Sequence, residues 1–201
     1  MNMKKHFALI MMLLLCVGAQ AESAKRILDK AAATVSNPGG VQAHFQMISK
    51  QFGTTDGDIA VKGSKFHATT SGAIIWFDGK TQWTYMKGND EVNISNPTEA
   101  QLQAINPYNF INIYRKGYKL SSKKVENAYE VHLVPTDKSR KIQEMYIIVD
   151  RSSYHPTHVK MKMKDKWSTI IISQLKTATL SDNLFQFNAK DFPKAEIIDL
   201  R

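Results

Sequence analysis

The 201-residue sequence predicts an α+β protein: a curled antiparallel sheet, a barrel or half-barrel, with helical pieces available to cover its concave side like a lid on a cup. Three observations predict it. From residue 41 to the C-terminus, apolar and polar residues alternate with a period of two in one short segment after another, and turn residues separate the segments. Helical patterning is confined to residues 23–35 and to a central stretch over 98–114. About ten short antiparallel strands are too many to stay flat, so the sheet must curl and leave the helices to cover its concave side.

The chain opens on a targeting segment. Lys4 and Lys5 precede a continuous apolar run over residues 7–17, and Ala19-Gln20-Ala21 is a small-x-small cleavage site. Residues 1–21 are therefore expected to be a cleaved signal peptide, leaving one domain over 22–201. The apolar run is too short to span a bilayer comfortably. Cys16 raises lipid attachment as an alternative, but Leu15 precedes it where such processing wants a small residue. Cys16 is also the sole cysteine, so the mature chain has none. That excludes disulfides, thiol chemistry and cysteine metal sites, and the core alone must hold the fold.

A hydrophobic fraction of 43% with 22% charged residues excludes a disordered tail and a polytopic membrane protein. Loss of Lys4 and Lys5 lowers the net charge from +9 to +7. The basic residues are scattered, and no nucleic-acid partner is expected for an exported protein. They read as a solvated face or as attraction to an anionic membrane surface or acidic partner.

The elements follow in order. Ile27, Leu28, Ala31 and Val35 form one stripe of an amphipathic helix that Asn37-Pro38-Gly39-Gly40 stops. Val41, Ala43, Phe45 and Met47 alternate with polar residues in a strand, and 53–57 is expected to turn. Residues 58–62 and 65–70 read as strands around Gly63-Ser64. Asp78-Gly79, between two aromatic runs, predicts a type I′ hairpin with Trp83 and Tyr85 on one strand face. A strand over 91–94 follows. Thr98 caps a helix bearing Leu102 and Ile105, Asn106-Pro107 breaks it, and 108–114 reads as a second short helix with Phe110, Ile111, Ile113 and Tyr114. Strands are then expected over 118–123, around Tyr129, Val131 and Leu133, and around Met145, Ile147 and Val149. Val159, Met161 and Met163 alternate cleanly with lysines. A strand over 167–175, a turn at Ser181-Asp182 and an edge strand over 195–199 complete the chain.

Catalytic signatures are sparse. The sequence holds no phosphate-cradling Gly-rich loop, nucleophile elbow or paired-His metal helix. His155 and His158 near Asp150 lack an evident third ligand, and Glu144 and Asp150 fall on a lysine-rich face. No enzyme activity, metal or cofactor is expected. What remains is apolar lining, because Met47, Met145, Met161 and Met163 are adaptable packers of the kind that accept variable apolar ligands. On the residues alone, these side chains either line a cavity or pack as an ordinary interior against the helices.

A resemblance favours the first reading. The order helix, Phe45-containing strand, Gly57-Asp58-Ile59-Ala60-Val61-Lys62, Lys65-Phe66, then Asp78-Gly79-Lys80-Thr81-Gln82-Trp83-Thr84-Tyr85, is similar to the LolA family of periplasmic lipoprotein carriers. The ending Phe185-Gln186-Phe187, Pro193 and Glu196-Ile197-Ile198-Asp199 resembles that family's ending, so the likeness covers essentially 22–201. It implies an incomplete, unclosed β-barrel with a helical lid over a hydrophobic cavity, and a monomeric periplasmic chaperone that binds the acyl chains of lipoproteins there, receives them from an inner-membrane ABC lipoprotein exporter and delivers them to an outer-membrane acceptor or membrane surface. The expected cavity lining is Phe45, Met47, Phe66, Trp83, Tyr85, Val131, Leu133, Ile147, Val159, Met161 and Met163. The expected lid is Leu102, Ile105, Phe110, Ile111 and Tyr114. Where the family carries an arginine that helps latch its lid, this chain has Gly63, so Lys62 or Lys65 is expected to substitute, or the lid to be looser. The alternatives are a lipid-binding or envelope-stress sensor on the same cup and an exported hydrolase using His155 or His158.

Overall fold

The computed structural model describes residues 22–50, 53–98, 101–102 and 112–201. The first helix, α1, is Ala24–Val35. Ser23 caps it by accepting a hydrogen bond from the Arg26 N–H at 3.3 Å, which satisfies one of the first-turn donors. Its apolar stripe is the expected one, with Ala24 and Ala32 added, and Ile27 and Leu28 are fully buried. Each of those two side chains contributes roughly 1.5–3 kcal/mol through burial.

The strands are β1 (Val41–Ser49), β2 (Gly53–Lys62), β3 (Lys65–Thr70), β4 (Ala73–Phe77), β5 (Gln82–Met86) and β6 (Glu91–Ser95) in the first half. The second half adds β7 (Tyr118–Val125), β8 (Ala128–Pro135), β9 (Ile142–Asp150), β10 (Pro156–Met163), β11 (Lys166–Thr177) and β12 (Glu196–Asp199). They form one sheet in the order β12-β6-β5-β4-β3-β2-β1-β11-β10-β9-β8-β7. Two meanders are thus joined by the long antiparallel pair β1–β11, and β12 adds to β6 in parallel. β7 and β12 keep unpaired edges in this order, so the barrel is incomplete. The helix α1 lies over β7 and β8 on the concave face.

Three expectations change. Twelve strands are present among the described residues, where about ten were expected. Residues 53–57 are not a turn but the start of β2, with Gly57 opposite Phe45 on β1 and Thr70 on β3. Glycine serves there through close approach, because a Cβ at Gly57 would sit 2.0 Å from the Thr69 carbonyl oxygen. The Asp78-Gly79 hairpin is not type I′, which needs positive φ at both central residues. Gly79 alone has it (φ 103°), and the Asp78 carboxylate closes the loop by accepting from the Lys80 and Thr81 N–H groups at 2.8 Å each.

Candidate functional site

Directly paired residues of neighbouring strands share a face of the sheet, so the register decides which side chains look inward. Phe45 pairs with Ile172, Met47 with Ile170, Ile170 with Val159, Met161 with Met145, and Ile147 with both Val159 and Val131. Leu133 sits opposite Met145, and Phe66 opposite Val61 and Phe77. These residues lie on the face that α1 covers and belong to one apolar cluster with it. Nine of the eleven expected lining residues are therefore brought together: Phe45, Met47, Phe66, Val131, Leu133, Ile147, Val159, Met161 and Met163.

Trp83 and Tyr85 are not among them. Phe77 pairs with Gln82, which places Gln82 and Thr84 inward and turns Trp83 and Tyr85 to the outer face with Trp76 and Ile74. There Trp76 and Tyr85 pack on Phe192, with ring centroids 5.5 Å and 4.6 Å apart, and Phe187 completes the group. The C-terminal segment thus buries this aromatic face. The expectation failed because aromatic content does not carry a sense of direction. Counting register through the hairpin from Phe66 would have found it.

Burial along the concave face is uneven. Val131, Leu133, Met145, Ile147 and Val149 are fully buried beneath α1. Phe45, Met47, Ile75, Met163 and Ile172 pack against this cluster yet stay half-buried. The helix covers β7 and β8, and the half-buried group lies on β1, β4, β10 and β11. Ile75 and Ile172 were missed by sequence reasoning, because each sits in an unbroken apolar run where alternation carries no signal.

The described residues include the two ends of the expected lid. Thr98 caps the turn that contains Gln101 and Leu102 through a reciprocal box. Its Oγ1 accepts from the Gln101 N–H at 3.4 Å, and its own N–H donates to Gln101 Oε1 at 2.8 Å. Leu102 is half-buried against the core cluster. Ile105, Phe110 and Ile111 lie outside the described residues. Tyr114, in a 3-10 turn over Ile113–Arg115, is 3% exposed, and its hydroxyl donates to Asp29 Oδ1 of α1 at 2.5 Å. Burial, with the Asp29 carboxylate beside it, pushes the Tyr114 phenol up to about 12. Asp29 is in turn held below its ordinary value, first by Lys25 and then by Tyr114.

A second tether holds the start of α1. Lys30 Nζ meets Glu22 at 2.7 Å and donates to the Tyr154 hydroxyl at 2.9 Å, and that hydroxyl donates to Glu22 Oε2 at 2.7 Å. The Lys30 contact, then Tyr154, lowers the Glu22 carboxyl.

Lys62 and Lys65 do not stand in for the missing arginine. Both pair with Asp182, at 3.0 Å and 3.3 Å, and Lys62 donates to the Leu180 carbonyl at 2.9 Å. Their alternation relative to Val61 and Phe66 sets them on the outer face, where they pin the C-terminal segment. Of the histidines considered for chemistry, His158 Nδ1 lies 3.1 Å from Thr157 Oγ1, and Asp150 accepts from the hydroxyls of Ser152 and Ser153. Together with the amides of the same two serines, those donors hold the Asp150 carboxyl well below the usual range.

An open, mostly antiparallel half-barrel with a helix on its concave face, fully buried in one part of that face and half-buried in another, defines the fold class of this protein. The chain belongs to the family described as outer membrane lipoprotein carrier protein LolA, whose model matches residues 14–165. Among solved structures, an uncharacterized conserved protein from Thermus thermophilus is similar at a TM-score of 0.60 and 12% identity, over 89% of this chain and 99% of that one. LolA superfamily protein NE2245 from Nitrosomonas europaea matches at 0.44 and 14%, over 83% and 99%. LprF from Mycobacterium bovis matches at 0.44 and 9%, over 79% and 96%. No curated protein matches the sequence.

Proposed function

We propose that this protein is a periplasmic carrier, exported by a cleaved signal peptide, that ferries lipoproteins from the inner to the outer membrane by sheltering their acyl chains on the concave face. It receives cargo from an inner-membrane ABC exporter, passes it to an outer-membrane acceptor or surface, and acts as a monomer without turning over a substrate. Family membership supports the class of protein. The single observation that carries the reading is the half-buried inward group Phe45, Met47, Ile75, Met163 and Ile172 beside a fully buried part.

The energetics suit such a role. Each methylene removed from water contributes roughly 0.8 kcal/mol, so one sixteen-carbon chain supplies on the order of 12 kcal/mol. The lining can therefore be non-specific, and the cargo's polypeptide need not be read. The segment between Thr98 and Tyr114, anchored at both ends, is the proposed cover that shields the apolar surface when the carrier is empty. Mass spectrometry of the native protein purified from the periplasm tests the reading. Co-purifying acylated lipoproteins are expected; only non-acylated polypeptides, or free lipid without lipoprotein, would overturn it.

A further inference from the structure

The concave face carries a buried polar group that an apolar shelter does not need. Gln82 opens β5 directly opposite Phe77 on β4 and Ser95 on β6, and it is 9% exposed. Its Nε2 donates to Thr84 Oγ1 at 3.1 Å, two residues along on the same face. Its Oε1 is shielded from solvent and has no hydrogen-bond partner, the sole such side-chain atom among the described residues. An acceptor left in that state costs stability, and folded proteins seldom keep one without cause. Leucine or methionine here would fill the same space beside Phe77 without that cost.

We infer that the Gln82 carbonyl is a binding site for the amide N–H of an N-acyl group, the polar junction at which a fatty chain is joined to its head. This rests on the carrier reading above. The two sides of the site fit such a junction. Phe77, Phe66 and Ile75 continue the apolar surface on β3 and β4, whereas Thr84, Asn93 and Ser95 make the adjoining β5–β6 surface polar. A chain lying on the first side brings its linkage to the second. The donor must be neutral, because one buried carbonyl cannot offset the desolvation of an ammonium group. An amide N–H supplies such a donor, and an ester oxygen at the same position supplies none. An acceptor that stays unpaired when an ester binds discriminates between the two linkages.

The test compares two probes that differ at one atom, N-palmitoyl-glycine and palmitoyl glycolic acid, in displacing a fluorescent fatty acid from the full-length mature protein. The wild type is expected to bind the amide about tenfold more tightly, the size of effect one hydrogen bond to a buried carbonyl gives. In Gln82→Leu and Gln82→Met the preference should vanish while affinity for the ester stays unchanged, and both variants should melt higher than the wild type when empty. Equal affinities in the wild type, or a preference that survives both substitutions, would overturn the inference and leave the carrier reading standing. A lower melting temperature in both variants would also overturn it, since the carbonyl would then be satisfied in the empty protein. If neither probe displaces the fatty acid, the carrier reading itself fails and this site falls with it. Displacement of bound N-palmitoyl-glycine by an N-palmitoylated diacylglyceryl-cysteine peptide, but not by N-palmitoyl-sphinganine, assigns the amide to lipoprotein N-termini. The reverse result assigns it to an amide-linked membrane lipid, and displacement by neither overturns the site.

Discussion

The Tyr114 hydroxyl donates to Asp29 across 2.5 Å and so ties the end of the proposed cover to the middle of α1. The bond joins residues far apart in sequence, and it links the helix on the concave face to the last residues of the proposed cover. Tyr114→Phe keeps the buried ring and removes only this link. The expected outcome is a loss of about 1 kcal/mol in thermal unfolding, the usual value of one hydrogen bond, with faster proteolysis between residues 98 and 114. Unchanged proteolysis would mean that the tether does not hold the cover.

The same pair sets an alkaline limit. The phenol titrates at about 12 in the folded chain against an ordinary 10.0, so the folded state binds the extra proton between those values. Stability is therefore full below about pH 10 and falls as the pH rises through about 12. Urea unfolding at stepped alkaline pH should show this fall in the wild type and a flatter profile in Tyr114→Phe.

His67 sets the opposite limit on the outer face, where its ring lies 5.6 Å from Trp76. Burial lowers its pKa below 6.5, so the unfolded chain takes up the proton first as the pH drops. Its contribution is present above about pH 6.5 and is lost as the pH falls through the folded value. His67→Phe should flatten the acid side of the stability profile, measured by chemical unfolding between about pH 4 and pH 7.

Trp76, Trp83 and Trp167 all face outward by register. A palmitate brominated along its chain and bound on the concave side would be separated from them by the sheet, so it should quench native tryptophan emission weakly. Phe45→Trp places a reporter on the inner face, and its emission should be strongly quenched. Strong quenching in the wild type would put the ligand on the outer face.

A charge distinguishes the fully buried part of the concave face from the half-buried part. Met161 is 3% exposed beside the fully buried Met145, so Met161→Asp strands a carboxylate in the core and should unfold the protein at a cost of several kcal/mol. Met163 is half-buried at the rim. Met163→Asp should keep the native circular dichroism spectrum and weaken acyl-chain binding by at least about tenfold. Unfolding of both variants would show that no part of the concave face is open.

Much of this fold was legible along the chain. The stripe Ile27, Leu28, Ala31 and Val35 and the alternation of Val159, Met161 and Met163 are local periodicities, and local backbone geometry turns each into a helix or strand with one dry side. The turn at Gly63-Ser64 and the capping role of Thr98 are likewise short-range chemistry, written within a few residues. The resemblance to the LolA family rested on such segments, and the family match over residues 14–165 agrees with it. What only the tertiary structure decided is which dry side each strand presents to which neighbour. Pairing of β1 with β11 depends on contacts far apart in sequence, and a slip of one residue in a hairpin reverses every side chain beyond it. For that reason Trp83 and Tyr85, the most conspicuous residues of the sequence, face outward, with Phe192 of the C-terminal segment packed on Tyr85, while Gln82 between Thr81 and Trp83 looks into the cup.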